Sequence, residues 1–187
     1  MGLSLESMAI EMPAVYGHPN RTGFRGVLTI VDVASDKSPS GARGHRVLLT
    51  RGAAEAAIPS LMGMGLDYSP SLDRHDAQRK IGVITRAEIV GRVIEVGGFL
   101  YARDFPEVVA EIGRPGRKSA AVSAEPAAGG RNARDSAAKL GMSYEITDAR
   151  VEDIGASVWV LNRVTFTGAA VLRRDKAAYR STWIELA

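Results

Sequence analysis

Hydrophobic and polar positions alternate along residues 23–33 (GFRGVLTIVDV), with Phe24, Gly26, Leu28 and Ile30 on one side and β-branched residues frequent. This period of two predicts a strand. The polar cluster 36–44 (DKSPSGARG) predicts a turn, and 45–49 a second, short strand. From Thr50 the pattern changes to an Ala-rich stretch over 50–65, which predicts a helix. Pro59 should kink or restart it, because proline lacks the N–H and clashes with the preceding turn. Residues 80–101 read as two strands joined near Val90, Gly91 and Arg92, with Ile81, Val83 and Thr85 alternating with more polar neighbours. Asp104 is the expected N-cap of the next helix. Glu107 would close a capping box, and Val108, Val109 and Ile112 would form one apolar face.

Residues 113–138 differ in kind. They are rich in Ala, Gly, Ser, Pro and Arg, and in that composition too little apolar surface can be buried to offset the entropy of ordering. A long mobile loop is expected there, since strand patterns resume directly after it at 140–147 and 157–167. A small-residue turn at Gly168, Ala169 and Ala170 then leads to 171–174, and 175–186 reads as helical. There is no internal repeat. The order of elements predicts one α+β domain over 1–187, built on a mainly antiparallel β-barrel or curled sheet with flanking helices.

Composition narrows the function classes. A chain of 187 residues with 45% hydrophobic and 24% charged residues is ordinary for a globular domain with its own core. Without cysteine there is no disulfide framework or thiolate metal site, which suits a reducing cytoplasm. No signal peptide is expected, because Glu6 and Glu11 stand where a basic n-region would, and no apolar run approaches the roughly 20 residues of a membrane span. The net charge of +3 comes largely from Arg114, Arg117, Lys118, Arg131, Arg134 and Lys139. No aromatic residue is interleaved for base stacking, so a nucleic-acid partner is not expected.

Three histidines could act as a base: His18, His45 and His75. His18 precedes Pro19 in a loop pattern, and His45 starts a strand in polar surroundings. His75 sits among Asp73, Arg74 and Asp76, just before the strand KIGVI. Ser143 lies in the alternating run LGMSYEI, where Gly141 allows close approach of another backbone or a substrate. A histidine within reach of a serine can take its proton during attack on a carbonyl. The elbow Gly-x-Ser-x-Gly is absent, because Glu145 holds its last position. No phosphate-binding loop, dinucleotide fingerprint or metal-ligand spacing is present, so no cofactor or metal is expected. Met62 and Met64 read as core or turn packing.

The order His75-Asp76, then a strand, then Gly141-Met142-Ser143 resembles the phage prohead (capsid maturation) proteases of the assemblin-like fold. The resemblance runs from about His45 to Trp183. It implies a serine endopeptidase that cleaves scaffold and capsid-protein segments inside the procapsid, in the host cytoplasm. Its partners would be the major capsid and scaffold proteins, and a homo-oligomer is expected. Ser143 would be the nucleophile and His75 the base. Arg173 and Arg174 would bear the oxyanion loop, or else form a solvated pair at a helix start. The third group departs from the family: the expected position, on the strand after the serine strand, falls on Arg163, whose guanidinium only donates. Asp76, Glu145, Asp148 or Glu152 could substitute, a Ser–His dyad could act unaided, or the domain could be a catalytically inactive capsid-assembly, scaffold or minor capsid component.

Overall fold

The computed structural model describes residues 7–114 and 139–187. The expected loop at 113–138 therefore lies almost wholly outside the described residues. The chain is mostly strand. In order it forms β1 (Ser7–Ala9), β2 (Thr22–Ile30), β3 (Arg46–Leu49), α1 (Arg51–Ala57), a 3₁₀ turn (Ile58–Leu61), β4 (Gly65–Tyr68), β5 (Lys80–Val90), β6 (Val93–Leu100), α2 (Pro106–Gly113), β7 (Leu140–Val151), β8 (Val158–Arg173) and β9 (Trp183–Leu186). The nine strands of the described residues all join one curled, half-barrel sheet in an α+β arrangement.

The main path through the sheet is β3-β8-β4-β5-β6-β2-β9, with β7 paired to β8 and β1 to β5. Most pairs are antiparallel, but β3 and β4 each run parallel to β8. β5 and β6 form the expected hairpin, turning at Gly91 with φ +61°. One apolar cluster, including Phe24, Leu28, Leu66, Ile84 and Phe166, forms the core. No described helix is long and apolar enough to cross a membrane.

Thr50 caps α1 by accepting the Ala53 amide at 3.2 Å, which satisfies one of the donors a helix start leaves free. Pro59 restarts the helix as the 3₁₀ turn, as its chemistry requires.

Four local expectations are corrected. The helix expected over 50–65 stops short: α1 ends at Ala57 and the 3₁₀ turn at Leu61, and Gly65 already opens β4, whose Leu66 and Tyr68 are buried beside β8. Gly168, Ala169 and Ala170 form no turn. They lie inside the long strand β8, where their small size admits close neighbours on the sheet face. The C-terminal residues close in turns and then form β9. This strand pairs with the open edge of β2 and buries Ile184 to 2% exposure, a gain that outweighs local helix propensity. Asp104 caps nothing: its carboxylate accepts from Asn20 Nδ2 at 2.8 Å, and Phe105 holds the N-cap position without a side-chain bond.

Candidate functional site

Strands β4, β8 and β7 place the site. Asp67 on β4 and Ser143 on β7 are both in register with Ala170 of β8. Residues opposite one another on neighbouring strands point to the same face, so Asp67, Ala170 and Ser143 form a row across the sheet. Two residues along β7, Glu145 stands on that face too, opposite Gly168. Gly168 and Ala170 thus form a low floor between side chains on the flanking strands. A Cβ at Gly168 would lie 2.9 Å from Glu145 Oε2, so glycine is what leaves room for that carboxylate.

The loop from Ser69 to Arg79 brings His75 over this floor, and its own polar groups fix its shape. Leu72 N–H donates to Ser69 O at 2.8 Å, Arg79 N–H to Asp76 O at 2.9 Å, and the Ser71 hydroxyl to Asp73. Leu72 takes the left-handed region at φ +53°, and its carbonyl accepts the Arg173 amide at 2.8 Å. The Ser71 hydroxyl, helped by Ser69 and Arg74, holds the Asp73 carboxyl below its ordinary value.

His75 Nδ1 faces two acids. It lies 3.3 Å from Glu145 Oε1 and 3.5 Å from Asp67 Oδ2. The atom is buried, yet it makes no aligned hydrogen bond. Asp67 is fully buried, and its Oδ1 accepts the Asp76 amide at 3.0 Å while Lys80 Nζ stands 3.4 Å from Oδ2. Burial disfavours its charge, but His75, the Asp76 amide and Lys80 outweigh that effect and keep the carboxyl below its ordinary value. Tyr144 points the other way, edge-on to Phe166 at 5.6 Å between ring centroids, and burial pushes its phenol up to about 12.

His75, Ser143 and Glu145 line one cavity of about 720 Å³. No hydrogen bond joins Ser143 to His75 among the described residues. The other histidines are engaged structurally. His45 stacks on Trp159 at 4.5 Å and its Nδ1 meets Ala156 O at 2.9 Å, while His18 Nδ1 accepts the Asn20 amide.

The expected third-group position is displaced. Arg163 lies opposite Arg150, towards the far end of β7, and is exposed, whereas the residue across from Ser143 is Ala170. Of the substitutes, only Glu145 reaches His75. The Asp76 carboxylate turns to the Gln78 amide and Arg79, and Asp148 and Glu152 are exposed at the other end of β7. The nearest buried acid, Asp67, was not among the expected residues. Its sequence signal is an acid between Leu66 and Tyr68, in a segment too apolar to be a surface turn.

Arg173 and Arg174 do not line the cavity. Their amides donate to Leu72 O and Lys139 O, the Arg173 guanidinium pairs with Asp175, and Arg174 Nε donates to Arg180 O. The cations that do line it are Arg74 and Lys176. Comparison of the chain with protein-family models, curated proteins and solved structures returned no match.

Proposed function

We propose that this chain is a serine endopeptidase of the phage prohead type, with an assemblin-like fold, that cuts scaffold and capsid-protein segments inside the procapsid. The observation that carries the reading is the buried Asp67 carboxylate on the Nδ1 side of His75, a histidine that shares a cavity wall with Ser143. An acid there favours the tautomer with the proton on Nδ1 and leaves Nε2 free to accept.

In this reading Ser143 Oγ attacks the scissile carbonyl while its proton passes to His75 Nε2. Asp67, with Glu145, stabilises the imidazolium that forms. Collapse of the tetrahedral intermediate expels the amine, which takes the proton from Nε2, and water then hydrolyses the acyl-serine by the same route. Arg74, next to His75 in the cavity wall, takes the oxyanion role that the resemblance gave to Arg173 and Arg174. Substrate binding would draw Oγ and Nε2 together, as catalytic contacts often tighten only in the complex.

The test is co-expression with the cognate capsid and scaffold proteins. Wild-type protein should truncate them and react with a fluorophosphonate probe. Ser143→Ala should fold normally and lose both, with cleavage down by about 10⁴-fold or more. Undiminished truncation by Ser143→Ala would remove the assignment.

The occupied Arg173 and Arg174 amides favour one second reading, a protease-fold protein that acts as a capsid-assembly or minor capsid component without catalysis. Mass spectrometry of mature virions separates the two. A structural component stays at full length and high copy, whereas a maturation protease is degraded and lost.

A further inference from the structure

We propose that Asp67, His75 and Glu145 form a divalent-cation site that accepts zinc, and that zinc bound there switches off His75 as a base. The three side chains come from β4, the following loop and β7, so no motif spacing announces them. Their ligand atoms all lie within 4.8 Å of one another. Donors on a tetrahedral zinc, each at about 2.0–2.1 Å, stand roughly 3.3–3.4 Å apart. His75 Nδ1 is already 3.3 Å from Glu145 Oε1 and 3.5 Å from Asp67 Oδ2.

A second observation points to a ligand. Nδ1 is buried and without an aligned hydrogen bond although two carboxylates face it. Asp67 is fully buried and anchored through its other oxygen by the Asp76 amide, which leaves Oδ2 directed at the same point. One imidazole nitrogen with two carboxylate oxygens suits zinc, with the fourth position left to water. Lys80 Nζ opposes a cation at 3.4 Å from Oδ2, but its side chain is 38% exposed and can turn to solvent when the ion enters.

The consequence for function rests on the serine-peptidase reading. A neutral imidazole carries one proton. When a metal takes the Nδ1 lone pair, that proton must sit on Nε2, which then donates and cannot receive the proton of Ser143. Zinc would therefore block catalysis without touching Ser143. The same two acids serve the active enzyme by facing an N–H and the inhibited enzyme by ligating an ion.

Binding is measured by isothermal titration of ZnCl₂ into the full-length Ser143→Ala protein, which needs no activity. One equivalent should bind. His75→Ala and Glu145→Gln, each introduced into the Ser143→Ala background, should weaken binding by at least about tenfold. Glu145→Gln is the decisive variant, because that side chain is 30% exposed and its change leaves the buried Asp67 intact. Absence of saturable binding, or binding equally tight in both variants, overturns the site.

Inhibition is read separately on wild-type protein, as loss of fluorophosphonate labelling on adding zinc and its return with chelator. Labelling unchanged by saturating zinc overturns the switch. If no labelling occurs even without zinc, the peptidase reading fails, while the titration still decides the metal site.

Discussion

Asp67 is the only buried charged side chain among the described residues, and its position explains why its charge is tolerated. An amide, an imidazole and an ammonium group surround it, and an isolated carboxylate could not stay ionised there. In Asp67→Asn, one amide oxygen could still accept the Asp76 N–H. The new NH₂, however, would donate toward Nδ1 and move the ring proton to Nε2, so on the proposed peptidase reading kcat on a scaffold substrate should fall by about 10⁴-fold. The same variant should alter acid stability. The Asp67 carboxyl has a folded-state pKa below its unfolded value of 3.8, so its contribution is present above that value and is lost as pH falls toward the depressed one. The decline in Tm below about pH 4 should therefore be shallower in Asp67→Asn than in wild type. An equal decline would show that Asp67 is not held ionised. Ser143 and His75 could be picked out as candidates from the sequence because each stands in a local context of its own, and the fold brings both to one cavity. Asp67 was not, because its role depends on a loop that folds back over it.

At the scale of elements, glycines set how closely strands and side chains approach. On β6, a Cβ at Gly98 would lie 2.0 Å from the Val83 carbonyl on β5, and backbone cannot yield as a side chain can. Gly98→Ala should cost about 3 kcal/mol or more by denaturant unfolding. At Gly168 the atom in the way is the end of the Glu145 side chain, 2.9 Å from where the added methyl would stand, and the nearest backbone atom, Gly65 O, is at an ordinary 3.6 Å. Gly168→Ala should thus change stability by no more than about 1 kcal/mol. It should nevertheless move Glu145 away from His75 and weaken zinc binding, which the same titration would read. The two variants separate a glycine that the sheet needs from one that the site needs. Alternation revealed β2, β5, β6 and the start of β7. It did not reveal that β8 runs on through Gly168, Ala169 and Ala170, since small residues in a row carry the local signature of a turn and only their neighbours on β4 and β7 make them a strand.

For the whole molecule, the last strand closes the sheet. β9 covers the edge of β2 and buries Ile184, whose side chain is worth about 1.5–3 kcal/mol when removed from water. Deleting residues 183–187 should lower Tm and leave β2 as an open edge that pairs with other copies. Size-exclusion chromatography should then show higher oligomers that the full chain does not form at the same concentration. A monodisperse truncated protein with unchanged Tm would mean that β9 contributes little to the sheet.

The pattern of the chain by itself determined a strand-rich α+β protein, the β5–β6 hairpin, the helix start at Thr50 and the break at Pro59. Each follows from residues that are neighbours in sequence: side-chain alternation, a hydroxyl three residues from an amide, a missing N–H. Tertiary structure alone decided that the C-terminal residues extend into β9, that Arg163 lies away from Ser143 and that Asp67 and Glu145 meet at one nitrogen of His75. Those outcomes depend on the pairing and register of distant strands. In a β-sheet, register sets which side chains share a face, and no local pattern carries that information.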